Sequence, residues 1–459
     1  MKRLPRTPSA AAAADAAAVS SGIDRKRFLA GLLGLPAWIA AGRYGMTPGA
    51  VGAAEPPQAE SGGATADSRS RQAPAESVEH RVERVLREYD AQGVHRTGTD
   101  VDSACARWLV EEARRLGAES ELEAMRFDRI DVRECYAEIA GQRLEGVPLF
   151  DCGTTGPEGR TGTLEPAAHG ERTEVGFWLD TMPDAAGGKE FLEHRRSSQQ
   201  RGLIAVTGGP RWNLDPGLAL LNAESYEAPF GAPVVQVSSE ARALVEGAAG
   251  SEVRIMSHIE RKRVEAYNTI ASVRGKDASL PPLVVMTPRS GWWQCAAERG
   301  GGIAVWVEIL AAVAATRPPR TVDFVASTGH ELGHYGLEHY LRSRQDQIRG
   351  ARAWIHLGAN FTAAIRPKFR VQFSDPELRT LTVEALARHG LVPDAETPLA
   401  ERPIGEARNV ADGGRYLSIL GFSGRFHQPS DRFPEAVDVP KAIAFAKAYV
   451  EIALALAAA

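Results

Sequence analysis

Residues 282–328 read "PLVVMTPRSGWWQCAAERGGGIAVWVEILAAVAATRPPRTVDFVAST". "PLVVM" and "TVDFVAST" are short apolar runs of the buried-strand kind, and "GGIAVWVEILAAVAAT" between them has the length and composition of a helix. A further helix is expected from about residue 331, and a third strand at "ARAWIHLGA", residues 351–359. Strand, helix, strand, helix, strand with short loops implies right-handed crossovers and a parallel sheet. Ligands of such sheets sit at the carboxyl ends of the strands. Three polar clusters fall there: Thr287 to Glu298, His330 to His334, and His356 to Asn360.

Outward from this core, helical spacing predicts one helix at "VEHRVERVLREYD" and another at "DVDSACARWLVEEARRLG", starting near Asp100 or Asp102 and stopped by Gly117. "ESELEAMRFDRIDV" and "YAEIAG" read as strands. From about 145 to 262 the chain is punctuated by Gly and Pro, with core strands at "GLIAVTGG" and "APVVQVS" and a helix at "SEARALVEG". A strand "NTIASVRG" then leads into the core, and "VPKAIAFAKAYVEIALALAAA" closes it as a helix. The expected division is 77–144 as the first part of an α/β domain, 145–262 as an insert, and 263–459 as the main body.

With 459 residues, 44% hydrophobic and 24% charged, the chain has the balance of a globular protein of two or three domains. A net charge of -4 without long runs gives no basic face, which excludes nucleic acid as the expected partner. Arg25, Lys26, Arg27, Phe28 and Leu29 precede the apolar "AGLLGLPAWIAAG", and small residues follow, so residues 1–54 look like a twin-arginine-type export signal. The apolar run is shorter than the roughly 18–20 residues of a span and is broken by Pro36. The expectation is export to the periplasm or beyond, with no stable membrane span in the mature chain. Residues 55–76 are poor in large apolar groups and read as a disordered linker. Cys105, Cys135, Cys152 and Cys295 lie far apart without a Cys-x-x-Cys spacing, so they form no zinc-cluster pattern. Export permits disulfides without requiring them.

Within "STGHELGHYGLEHYL", residues 327–341, His330, Glu331 and His334 have the order of a helical zinc-protease motif. Yet the segment follows a strand directly, and Gly333 and Gly336 each disfavour helix by about 1 kcal/mol. Placement of His330 at a strand end is therefore the preferred reading.

The order of motifs from about residue 78 to 459 resembles the exported zinc aminopeptidase family, which includes bacterial leucyl aminopeptidases, glutamate carboxypeptidases and the inactive transferrin receptor. The resemblance implies a three-layer α/β sandwich with a mixed, mostly parallel central sheet, and a smaller β-rich, protease-associated-like domain at 145–262. Five side chains hold two zincs in that family. Thr287 stands at the first ligand position, with Arg289 where a supporting aspartate is usual. In "CAAERGGG" Glu298 takes the place of the bridging aspartate and Arg299 that of an asparagine. The usual Glu-Glu pair becomes His330-Glu331, which gives Glu331 a ligand role and His330 that of general base. The fourth ligand position falls on Gly358, with His356 two residues earlier on the same strand face. "RFHQPSD" supplies His427 and Asp431 for the last.

The resemblance thus implies one zinc on Glu298, Glu331 and His427 with an open position for chemistry, as in single-zinc glutaminyl cyclases. His334 and His356 are further metal candidates, and Arg289, Trp292, Trp293 and Glu406 candidates for binding substrate. Each has a plainer reading: Glu331 as a helix-start charge, His330 and His356 as packed histidines, Glu298 paired with Arg299, and the tryptophans as core. The expected function is an exported metal-dependent hydrolase of peptide-like amide bonds. The alternative is a non-catalytic homologue that binds peptide or a partner protein, motivated by the lost ligands.

Overall fold

A computed structural model of the protein describes residues 76–167, 174–183 and 187–459. The expected export signal lies outside the described residues, as does the linker apart from Glu76. In chain order the described elements are α1 (Val78–Ala91), α2 (Asp100–Arg115), β1 (Glu119–Ile139), β2 (Gln142–Glu145), β3 (Val147–Pro148), β4 (Arg160–Pro166), β5 (Val175–Thr181), α3 (Lys189–Ser197), β6 (Gly202–Thr207), β7 (Val234–Val237), α4 (Arg242–Gly247) and β8 (Glu252–Val273). They continue with β9 (Leu283–Pro288), α5 (Gly301–Thr316), β10 (Val322–Ser327), α6 (Tyr335–Arg342), α7 (Gln345–Gly350), β11 (Ala353–Leu357), β12 (Lys368–Phe373), α8 (Pro376–Arg388), β13 (Ala395–Glu396), β14 (Tyr416–Phe422) and α9 (Val439–Ala458).

The sheet centre is the parallel run β14-β11-β9-β10, flanked by antiparallel β12 on one side and antiparallel β8 on the other. Both faces of β9 are buried, so its apolar residues run unbroken: Leu283 and Val285 face α1, α5 and α9, while Val284 and Met286 face α6 and α7. This is the expected three-layer α/β sandwich. The two strands expected around 119–141 are one strand, β1, with a register shift between Val132 and Glu134. It pairs along its length with β8, of which "NTIASV" is only the last part. β4, β5, β6 and β7 form a second parallel set, joined to the main sheet where β4 pairs with β8.

Helix α5 is apolar all round because it lies between the sheet and helices α1 and α9, with Trp306 edge-on to Phe324 at 5.3 Å. The stretch 296–316 is long and apolar enough to cross a membrane, and most of it is buried inside the fold. The one acid of α5, Glu308, accepts from Arg81 of α1 at 2.9 Å. Burial pushes the Glu308 carboxyl up to about 7, against the pull of Arg81. A folded-state pKa above the unfolded one makes a contribution to stability that is complete below about pH 4.5 and lost as pH rises through about 7. We expect wild type minus Glu308→Gln unfolding free energies to fall across that window, by on the order of 3 kcal/mol. Denaturant titrations at pH 4.5, 6 and 8 giving a constant difference would refute the assignment.

Candidate active site

The carboxyl ends of β9, β10, β11 and β14 carry the site. β9, β10 and β14 deliver their polar residues through short irregular segments, while β11 carries His356 within the strand. After β9 a wide turn over Ala296–Gly300, in which the Gly300 amide reaches back to the Cys295 carbonyl at 3.2 Å, inserts Glu298 and Arg299. After β10, His330–Leu332 form one tight turn between Gly329 and Gly333, both at positive φ, and α6 starts only at Tyr335. His330 and His334 therefore do not share a continuous helix. Cys295, His334, Asn360 and His427 all have φ between 56° and 65°. Four non-glycine residues in this costly conformation gather at one edge of the sheet, as happens where surrounding structure holds strain at a site.

Glu298, Arg299 and His427 are brought together. Arg299 Nη2 lies 2.6 Å from Glu298 Oε1, and His427 Nε2 lies 3.1 Å from the same oxygen. Burial alone would raise the Glu298 carboxyl, but the guanidinium and His427 outweigh it and hold it at about 2. Asp431 accepts from the amides of Ala297 and Glu298 at 2.8 and 3.0 Å, and so fixes the turn. Burial pushes Asp431 up to about 7 despite those bonds. The Glu298–Arg299 ion pair weighed from the sequence is present.

Glu331 faces elsewhere. Its Oε1 accepts from the amide and hydroxyl of Thr97 at 3.0 and 2.6 Å, and its Oε2 from Ser290 Oγ at 2.7 Å. Arg289 is wholly buried against Asp102 at 2.8 Å and donates to the Tyr267 carbonyl at 2.7 Å. Trp292 packs on Phe150 in the core and donates to Asn222, and Trp293 donates to the His427 carbonyl at 2.9 Å. Thr97, Ser290 and Asp102 sit in stretches without motif character, and only spatial neighbours reveal them.

His330, His334 and His356 gather with Glu406. The rings of His330 and His334 stack at 4.8 Å. His330 Nδ1 lies 3.2 Å from Glu406 Oε1, His334 Nδ1 2.7 Å from Asn409 Oδ1, and His356 Nδ1 2.8 Å from Ser418 Oγ. Burial lowers all three, His334 to about 3 and His356 to about 4, so they are neutral near pH 7. A Cβ on Gly358 would lie 2.4 Å from Leu420 Cδ2, 2.7 Å from the Ile419 carbonyl and 2.9 Å from His356 Cε1, which is the physical reason for glycine where the resemblance expects an aspartate.

The segment 215–224 crosses this edge as a strap. The amides of Leu220 and Ala223 donate to the carbonyls of His427 and Glu331, His427 Nδ1 donates to the Leu220 carbonyl, and Glu224 pairs with Arg408.

No protein-family model matches the chain, and no curated protein does. Solved structures do. The zinc aminopeptidase from Bacillus subtilis matches with a TM-score of 0.63 and 14% identity, over 83% of this chain and 94% of that one. The aminopeptidase from Aneurinibacillus sp. strain AM-1 gives 0.61 and 13% over 83% and 93%, and a peptidase M28 precursor from Shewanella amazonensis SB2B gives 0.61 and 15% over 83% and 97%. The chain has the zinc aminopeptidase fold. At these identities the likeness is one of architecture, and chemistry has to be argued from the side chains.

The zinc set expected from the resemblance does not fit them. Of Glu298, Glu331 and His427, the first is in contact with a fixed cation, and the second accepts two donors from Thr97 at Oε1 and one from Ser290 at Oε2. Of these three side chains, His427 Nε2 and both carboxylate oxygens of Glu298 are buried without a hydrogen bond, and Glu298 Oε1 is held by its ion pair with Arg299.

Proposed function

We propose that the protein is an exported hydrolase of peptide or peptide-like amide bonds that works with one metal ion. The observation that carries this reading is the group of neutral imidazoles at the carboxyl ends of the parallel strands, beside the buried Glu298. The zinc aminopeptidases that share the fold support the substrate class. A bound ion would supply Lewis acidity toward an amide carbonyl. Among the protein's own groups, Glu406 holds His330 at Nδ1, so His330 presents Nε2 alone, whether to a proton or to an ion. The strap is fastened at this edge by its bonds to His427 and Glu331.

A second reading, a non-catalytic homologue that binds peptide or a partner protein, draws on the same strap and on the Arg299–Glu298 pair. The test is turnover of a panel of aminoacyl and N-blocked peptidyl coumarylamides by the mature chain, zinc-loaded and chelated. Chelator-sensitive hydrolysis is expected. A zinc-loaded, folded chain that cleaves none of them overturns the hydrolase and favours the binding reading.

A further inference from the structure

We propose that the first half of β12 carries a binding site for a carboxylate-bearing, partly apolar residue of a peptide ligand. β12 runs antiparallel to β14, so its first residues lie at the carboxyl edge of the parallel strands, the edge that holds the candidate active site. Its side chains alternate: Phe369 and Val371 enter the core, while Lys368 and Arg370 stand exposed on the opposite face. Their direct partners across the pair are Phe422 and Leu420 of β14, which share that face. Ile404, 54% exposed, lines the same concavity, whose volume is about 490 Å³.

The charges there do not cancel. Among the described residues neither Lys368 nor Arg370 has an ion pair or a side-chain hydrogen bond. The acid that lines the concavity, Asp394, accepts the Phe369 amide at 2.8 Å, and Glu396 of β13 is taken by Arg379 at 2.6 Å. Two free cations beside apolar walls suit an anion carried on an apolar body, and the guanidinium offers a fork that matches a carboxylate.

Hydrogen bonds tie this concavity to the histidines. Gln372, next after Arg370 on the same face, is buried, and its Oε1 accepts the Ile404 amide at 2.9 Å. Its Nε2 donates to the Ile404 carbonyl at 3.1 Å and to Ser418 Oγ at 3.0 Å. Ser418 Oγ in turn lies 2.8 Å from His356 Nδ1, and Glu406, on the same short segment as Ile404, lies 3.2 Å from His330 Nδ1. From β11 across β14 to β12 is two strand spacings, about 10 Å, which an extended peptide covers in about three residues. One peptide therefore reaches from the histidines to Arg370. That it would be cleaved there rests on the hydrolase reading; the capture of its carboxylate does not.

The test is fluorescence anisotropy of labelled, end-blocked peptides titrated with the mature chain, each an alanine-leucine sequence carrying one Glu or, as the control, one Gln. The Glu peptide should bind roughly fivefold tighter at low salt, and the preference should shrink as salt is added. Lys368→Gln with Arg370→Gln should erase the preference, and Lys368→Glu with Arg370→Glu should turn it toward a peptide carrying Lys. Ile404→Ser should weaken the Glu and Gln peptides alike. Both cations are exposed, so these variants should keep the wild-type circular dichroism; Arg370→Gln alone serves if a double variant does not. Equal binding of the Glu and Gln peptides by wild type, or a preference that survives Lys368→Gln with Arg370→Gln, would overturn the site. A preference that the double variant abolishes, with no peptide cleaved, would keep the site and sink the hydrolase reading; cleavage without any preference for Glu would do the reverse.

Discussion

Replacing Arg299 with methionine should destabilise the fold by about 3–5 kcal/mol, because the change leaves a buried carboxylate without its counter-charge. Arg299 and Glu298 are each about 1% exposed and 2.6 Å apart. The guanidinium also donates to the Ser290 carbonyl at 2.8 Å, so it ties the turn over Ala296–Gly300 to the end of β9. In the variant, burial would push the Glu298 carboxyl up with His427 and His330 left to oppose it. Adding Glu298→Gln should recover most of the loss, since removing both charges ends the imbalance that removing one creates. Urea unfolding of the single and double variants is the measurement. An Arg299→Met protein within 1 kcal/mol of wild type would show that the pair is dispensable.

Arg289→Leu should have an effect of the same size. Arg289 and Asp102 are both fully buried, and the arginine donates to the Asp102 carboxylate, the Asp102 carbonyl and the Tyr267 carbonyl. Asp102 also receives the Gly98 amide and the Thr328 hydroxyl, so one charge pair fastens α2 and β8 to the ends of β9 and β10. Burial raises the Asp102 carboxyl and Arg289 opposes it, so the leucine variant leaves an acid that must take up a proton or unfold the site. Arg289→Lys keeps the charge but not the fork, and should lie between the two. The sequence placed this cation among the candidates for binding substrate; the carboxylate it holds is that of Asp102. A leucine variant as stable as wild type would mean that the pair is compensated elsewhere.

What the sequence disclosed and what it hid differ in kind. The run from Leu283 to Leu357 was legible because its strands are buried on both faces and its helix α5 is apolar all round, so composition alone marks them. Glu298, His330 and His427 were legible as positions because they follow strand ends or sit in Gly-bounded loops. Their partners were not. Thr97 meets Glu331 across a separation of 234 residues, and Leu220 meets His427 across 207, and no local pattern encodes such pairs. Asn409 and Ser418 look like any polar loop or strand residue until the histidines they orient are beside them. The length of β1 was missed because exposed charged residues interrupt its apolar alternation where the ribbon with β8 leaves the main core.

That ribbon carries a mechanical meaning. β1 and β8 are 21 and 22 residues long and pair from Glu119 with Ser272 to Ile139 with Val253, with one register shift between Val132 and Glu134, so a single ribbon runs from the main sheet into the smaller parallel set. The register shift is where such a ribbon bends and its twist increases. The tie between the two sheets is thus carried by backbone hydrogen bonds along its whole length and jointed at Arg133.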